Sequence, residues 1–314
     1  MDDTITFDDD GFGNPGARIL WADIVAVGIR TTDDGPMGED VFWQFLLRKG
    51  FFELPGEIVA GAVFAGLQRY LVGMDSHKIM LAMRSTNNRS FRVWHVSESL
   101  TGWDDGRMGA RFSALCERLG GASAGPAFER LRTAWAADGR DYHNLEHLAD
   151  CLRELDGARA DDADVAELAL WYHDAIYVPA DGNCEARSAA MLVSECAALG
   201  IEPEVAERAA AMVRATTHRG AVEVDALTAL VLDVDLSILG RDPLRFMEFE
   251  YAVEAEYAHI PAAAFSRGRA RFLEGVLATP SIYRTDYFRA RYERIARNSI
   301  KALLASPRYS DVTG

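Results

Sequence analysis

The sequence predicts a mostly α fold, with an all-helical domain over residues 106–314 preceded by a smaller α+β module over residues 1–105. Three observations support this. From Arg107 onward, alanine, leucine and arginine recur at helical spacing and strand-like runs vanish. Before that point, β-branched and aromatic residues gather in short runs separated by turn residues. The hydrophobic fraction is 49%, ample for a packed globular core.

Within the first part, residues 19–30 and 41–47 carry the bias of strands, separated by Asp33-Asp34-Gly35-Pro36. Residues 51–54 read as a short strand ended at Pro55, residues 56–71 as a helix with one apolar face, and residues 90–96 as a closing strand. His77 and His95 lie in this part with structural roles as the default. No histidine cluster, glycine-rich phosphate loop or nucleophile motif accompanies them. Residues 101–108, Thr-Gly-Trp-Asp-Asp-Gly-Arg-Met, read as the linker. Helices are then expected at 110–119, 127–137, 144–155, 164–176, 185–199, 204–217 and 226–239, followed by 244–257, 266–278 and 287–305. Gly200, Pro203, Gly240, Pro243 and Pro261 mark joints between them. The acidic run from Asp161 to Asp164 suits a helix start, where negative charge meets the positive end of the macrodipole.

Composition narrows the function classes. A formal charge of -15 disfavours binding to a nucleic-acid duplex, while a bound cation could still draw in a small anion. No run approaches the ~18 apolar residues of a membrane span. The acidic first ten residues lack the basic start and apolar stretch of a secretory signal. Cys116, Cys151, Cys184 and Cys196 are scattered without a C-x-x-C pair, which suits a reducing compartment and argues against a cysteine-based zinc site. A cytoplasmic protein is the expectation.

Three stretches carry chemistry. His143 and His147 are four apart, so on a helix both project from one face, as metal ligands or as a capped helix start. His173 and Asp174 sit among large apolar neighbours, where a carboxylate needs a compensating partner. A cation supplies one, and an internal Asp–His hydrogen bond is the alternative. In Asp233-Val-Asp235, residues two apart point in nearly opposite directions, so one aspartate faces a site. Asp235 has apolar neighbours at helical spacing and is the better ligand candidate. Asp233 suits a cap or an ion pair, and a structural ion pair is open to both.

Together, the order His … His-Asp … Asp over residues 110–305 resembles the HD superfamily of metal-dependent phosphohydrolases. The resemblance is carried by Tyr142-His-Asn-Leu-Glu-His147, Trp171-Tyr-His-Asp-Ala-Ile-Tyr177 and Asp233-Val-Asp-Leu-Ser-Ile-Leu-Gly240. It implies an all-helical fold with His147, His173, Asp174 and Asp235 holding a divalent cation (Mn, Mg, Co, Zn or Fe). The Tyr-His-Asn start also resembles cyclic-nucleotide phosphodiesterases, which implies that His143 is the general acid. A competing register pairs Arg140 with His143 and would make His143 a ligand. His218 stands where related proteins keep an extra ligand or a substrate-facing histidine, and a helix-end residue is the simpler account. Arg140, Glu185 and Arg269 are the expected substrate contacts, with Ser188 and Arg267 nearby in the same stretches. For Glu185 and the arginines, a helix-start carboxylate and solvated surface charge are the plain alternatives. His259 is the one spare histidine, so a single tightly held metal is expected.

The expected function is hydrolysis of a phosphate ester, a nucleotide or another small phosphorylated metabolite, by a metal-activated water. The alternatives are a non-catalytic, metal-organised nucleotide sensor and a di-iron HD-type oxygenase. The expected partner is a small phosphorylated substrate, with no nucleic-acid duplex, no membrane, and a homo-oligomer left open.

Overall fold

The computed structural model describes residues 5–14, 17–33, 35, 38–96, 104–122, 124–158, 160, 163–218 and 223–310. They divide into two units. The first gathers Met1–Gly102 and Asp242–Ala252, and the second gathers Trp103–Arg241 and Val253–Gly314. Helical periodicity assigned 242–252 to the helical part, but these residues cluster with the strands. Parts of four expected features lie outside the described residues: the acidic start (residues 1–4), the first turn (Asp34 and Pro36), the linker (101–103) and the acidic run (Asp161 and Asp162).

In the first unit, β1 (Thr6–Phe7), β2 (Gly11–Asn14) and β3 (Ala17–Leu20) form one antiparallel sheet. A second sheet holds β4 (Ile24–Thr31), β5 (Val41–Leu47), β6 (Gly50–Pro55) and β7 (Arg89–His95) in the order β6-β5-β4-β7, also antiparallel. The strand expected at 19–30 is therefore two strands in two sheets, broken by a 3-10 turn at Trp21–Asp23. Burial of Trp21 explains the corner: its ring lies 5.0 Å from both Phe12 and Tyr70, and its Nε1 donates to the Asp8 carbonyl at 3.0 Å. The helix expected at 56–71 is likewise two, α1 (Gly56–Val59) and α2 (Ala62–Tyr70), separated at Gly61 with φ 68°. A third helix, α3 (Ser76–Arg84), was not expected. Its inward face is short, Ile79 packed against the core and Ala82 buried, while Met80, Leu81 and Met83 are exposed on the other side and blur the pattern.

One face of the larger sheet presents Val27, Ile29, Trp43 and Phe45, paired across strands and buried under Val63 and Leu67 of α2. The other face presents Gly28, Gln44 and Arg92, side by side in register. The first turns of α11 (Pro243–Glu256) cover it, with Leu244 Cδ1 3.4 Å from where a Cβ on Gly28 would stand. Buried charge on this face is paired. Arg92 pairs with Asp242 at 2.5 Å, and Glu248 takes Lys78 at 2.8 Å and Arg245 at 3.0 Å.

The second unit contains α4 (Asp105–Arg118), α5 (Gly125–Trp135), α6 (Leu145–Ala158), α7 (Ala163–Tyr172), α8 (Cys184–Leu199), α9 (Pro203–Ala215) and α10 (Ala226–Asp235). It continues with the end of α11, then α12 (Ala262–Ala278), α13 (Asp286–Leu304) and α14 (Pro307–Ser310). Every residue of α7 from Val165 to Tyr172 is buried, which makes it the central helix. Aromatic rings of Phe112 and Phe128 stand 5.0 and 6.2 Å from Trp171, while α9 offers it small residues, Ala206, Ala209 and Ala210. After α10 the chain tightens into a 3-10 turn, Leu236–Gly240, where α10 was expected to continue. Gly240 is required there, because a Cβ would stand 2.4 Å from Tyr292 Cβ of α13. Asp233 secures the same joint by accepting the N–H groups of Arg284 and Thr285, each at 2.7 Å, at the start of α13. Among the described residues no helix is long and apolar enough to cross a membrane.

Candidate metal centre

Three helix ends in the second unit meet at one point. His147 stands in the first turn of α6, which Asn144 caps: its Oδ1 accepts the N–H groups of Glu146 at 2.9 Å and His147 at 3.3 Å. His173 and Asp174 follow the end of α7. The helix expected to run to 176 stops at Tyr172: the Ala175 N–H goes to the Tyr172 carbonyl at 3.0 Å, one residue short of helical spacing, and the Ile176 N–H goes to Ser188 Oγ. The Arg140 guanidinium then takes the carbonyls of Asp174 and Ala175, at 2.7 and 3.0 Å, and holds the turn. Ser188 of α8 fixes the next residue, accepting the Ile176 N–H at 2.9 Å and donating to its carbonyl at 3.2 Å. Consecutive residues on a helix would diverge by about 100°; in this turn both side chains reach the centre. Asp235 closes the set from the last residue of α10.

The donor atoms crowd together. His147 Nε2 is 3.2 Å from His173 Nε2, 3.3 Å from Asp235 Oδ1 and 3.8 Å from Asp174 Oδ2. His173 Nε2 is 3.1 Å from Asp174 Oδ2 and 3.6 Å from Asp235 Oδ1. His173 Nδ1 lies 2.8 Å from the Leu170 carbonyl, so Nδ1 carries the hydrogen and Nε2 is left to accept. Nitrogen and oxygen ligands each about 2.0–2.2 Å from one cation sit roughly 3.0–3.6 Å apart, so most of these separations fit a shared ion. The chemistry fits as well, since two imidazoles and two carboxylates suit a divalent transition metal.

Electrostatics treats the two rings differently, favouring the neutral, ligating form of His147 and, at His173, a proton that a cation would displace. Burial pushes the His147 ring below its ordinary value, favouring the neutral form that ligates. Burial acts on His173 in the same sense, but the Asp174 charge outweighs it and holds that ring well above. Asp174, beside His173, is held down at about 2 against its burial, and Asp235, bonded by His147, His173 and His218, lies well below the carboxylate range. Both acids are thus ionised in a buried place that calls for positive charge.

His218 joins through Asp235, with its Nε2 2.7 Å from Oδ2. Its backbone is left-handed, φ 50°, an uncommon state for histidine that turns the residue back after α9. His143 is half-buried beside the cluster, and its ring stacks on Tyr177 at 4.0 Å. Glu256, at the end of α11, holds it: Oε2 accepts His143 Nδ1 at 2.7 Å and Tyr177 OH at 2.9 Å, while Oε1 accepts the N–H groups of Tyr142 and His143. Burial alone would lower the His143 pKa, but the Glu256 hydrogen bond and nearby Asp174 raise it.

The remaining expected residues lie elsewhere. Arg140 is engaged by carbonyls and stands over the Trp135 and Tyr177 rings, so the structure gives it a scaffold part instead of an outward grip on substrate. Glu185 sits half-buried in the first turn of α8, with no hydrogen bond or ion pair of its side chain among the described residues. Arg269 lies along α12 with its guanidinium over Phe272, and Arg267 is exposed on the same helix. His259 is exposed beside Tyr257.

Two residues escaped the sequence reading. Cys151, one turn beyond His147 on α6, is buried with Sγ 3.7 Å from His147 Nε2. With His147, His173 and Asp235 it forms a group that could hold a metal ion. Scattered cysteines exclude a cysteine-pair motif but not a single cysteine beside histidine ligands. The spacing of four from His147 was the available signal. Glu256 had none, since more than a hundred residues separate it from His143. No protein-family model, curated protein or solved structure matches the chain.

Proposed function

We propose that the second unit is a metal-dependent hydrolase of phosphate esters acting on a small phosphorylated molecule. One observation carries the reading: two imidazole nitrogens 3.2 Å apart face two ionised carboxylates in a buried pocket. The sequence resemblance to HD phosphohydrolases names the same four residues as ligands. His147, His173, Asp174 and Asp235 would hold the cation, with Cys151 beside them. When bound, such a cation lowers the pKa of water and polarises a phosphoryl group.

The chain's own side chains supply the rest. Glu256 fixes the His143 ring through Nδ1 and favours its protonated form, so the ring can donate a proton from Nε2 to a leaving oxygen. Tyr177 stacks on that ring and shares the carboxylate, which limits rotation. His218 shares Asp235 and orients its second oxygen. Arg140 and Ser188 hold the backbone of the His173–Asp174 turn.

The test is direct. Full-length protein, stripped with a chelator and reloaded with Mn²⁺, Co²⁺, Zn²⁺, Fe²⁺ or Mg²⁺, is assayed on p-nitrophenyl phosphate, bis-p-nitrophenyl phosphate and a panel of nucleotides. Turnover is expected only in a metal-loaded form, and His143→Ala should reduce it by about 10²–10⁴-fold. Folded protein that retains metal yet turns over no phosphate ester with any of them would overturn the proposal.

A further inference from the structure

We propose that Arg291 of α13 binds a second phosphate of the substrate, beyond the far end of a cavity that begins at the metal donors. The inference rests on the reading of the centre as a phosphate-ester hydrolase and narrows its substrate class. The cavity is walled on one side by His147, Cys151 and Glu154 of α6, and on the other by Asp235, Ser237 and Arg241. His147 and Glu154 stand seven residues apart on α6, about 10 Å along its axis. At the far end the Glu154 carboxylate pairs with Arg241 and accepts the Tyr292 hydroxyl at 2.8 Å. That hydroxyl in turn accepts Arg291 Nε at 2.8 Å, which places the Arg291 guanidinium two hydrogen bonds from the cavity wall.

Two features separate Arg291 from an ordinary solvated arginine. Its guanidinium is held in place although the residue is exposed. Nη1 donates to Tyr287 OH at 3.3 Å, and the guanidinium carbon stands 5.2 Å from the Tyr292 ring and 5.9 Å from the Tyr287 ring. It also has no acidic partner. Arg289 and Arg297 of the same helix pair with Asp286 and Glu293, whereas Arg291 makes no ion pair among the described residues. One carboxylate, Glu154, therefore lies between two guanidiniums, and this end of the cavity carries excess positive charge. A fixed planar fork with N–H donors to offer suits the paired oxygens of a phosphate. The distance along α6 calls for two phosphates separated by about a nucleotide or more, as in a nucleoside bisphosphate or a short 5′-phosphorylated single strand.

Calorimetric titration of the Mn²⁺-loaded full chain, carrying His143→Ala to slow turnover, tests this. The probes are AMP, adenosine 3′,5′-bisphosphate and the 5′-phosphorylated adenosine trinucleotide. At least one of the two longer probes should bind about tenfold or more tighter than AMP. Adding Arg291→Ala should abolish that advantage, and Arg291→Lys, which keeps the charge but not the fork, should retain only part of it. Arg267→Ala, at an exposed arginine of α12, should retain all of it. Position 291 is exposed, so its variants should keep the parent circular dichroism. Equal affinity for all three probes, or an advantage that survives Arg291→Ala, would overturn the inference. A chain that hydrolyses phosphate monoesters yet shows no such advantage sinks this inference alone, and one that hydrolyses no phosphate ester sinks the hydrolase reading with it.

Discussion

Two clusters of buried charge, one in each unit, are balanced in opposite ways. Beneath α11 in the first unit, Arg92, Lys78 and Arg245 face Asp242 and Glu248 at 2.5–3.0 Å, so each buried acid has a permanent cation beside it. In the second unit Asp174 and Asp235 are offset only by imidazoles, and neither makes an ion pair with lysine or arginine among the described residues. A closed charge network is costly to break, because removing one partner strands the other as a buried charge. A network short of positive charge, built from donors that also ligate, is poised for a ligand the chain does not supply. Buried charge alone therefore does not mark a functional site; its imbalance does.

Paired substitutions test the contrast most strongly. Asp235→Ala should abolish metal retention, measured by plasma mass spectrometry after dialysis, and reduce turnover to that of stripped protein. Added metal should then no longer raise the melting temperature, as it should for wild type. Glu248→Ala should do the reverse: a loss of about 3–5 kcal/mol in denaturant unfolding, from stranded buried cations, with metal content unchanged. If Glu248→Ala also lost the metal, the two networks would not be separate.

A smaller effect is expected at Glu256. Glu256→Gln still accepts backbone N–H groups but cannot accept the His143 proton as a carboxylate does. kcat should fall about 10–100-fold with KM little changed. The alkaline limb of the rate profile should move to lower pH, because His143 loses the group that raises its pKa. An unmoved limb would remove His143 as the titrating acid.

The pH response of the first unit follows from Glu248. Burial pushes its carboxyl up, but Lys78 and Arg245 outweigh that and hold it below its ordinary value of 4.5. A depressed folded value contributes stability that is complete above pH 4.5 and is lost as pH falls through the folded value. Melting temperatures should drop below that pH in wild type and drop less in Glu248→Gln. Least of all, Arg267→Ala on the exposed side of α12 should change stability by within about 0.5 kcal/mol.

Much of this was legible in the sequence, and the omissions have physical causes. Long periodic helices such as α6, α8 and α13 could be read because one apolar face repeats over several turns. His173, Asp174 and Asp235 stood out as polar groups among apolar neighbours, while His147 was singled out by its spacing from His143 and by the family resemblance. The end of α7 could not, since it depends on Ser188 of α8 taking the Ile176 N–H and on Arg140 holding the turn that follows. The corner at Trp21 was hidden for the same kind of reason, being set by packing partners, and α3 because exposed Met80, Leu81 and Met83 mask its short inward face. Glu256 is the sharpest case. Its importance lies in meeting His143, and nothing in its own neighbourhood announces that.

The close approach at Gly240 carries a consequence for how this sequence can drift. Any side chain there collides with Tyr292, whose hydroxyl also holds Glu154 at 2.8 Å. The atom met is the Tyr292 Cβ, which every residue but glycine carries, and the Tyr283 hydroxyl stands at 2.9 Å behind it. A change at 240 would therefore displace the turn just after Asp235, and trimming the ring at 292 would not restore the room. A library randomised at both codons and sorted for folded protein should return glycine at 240 whatever stands at 292.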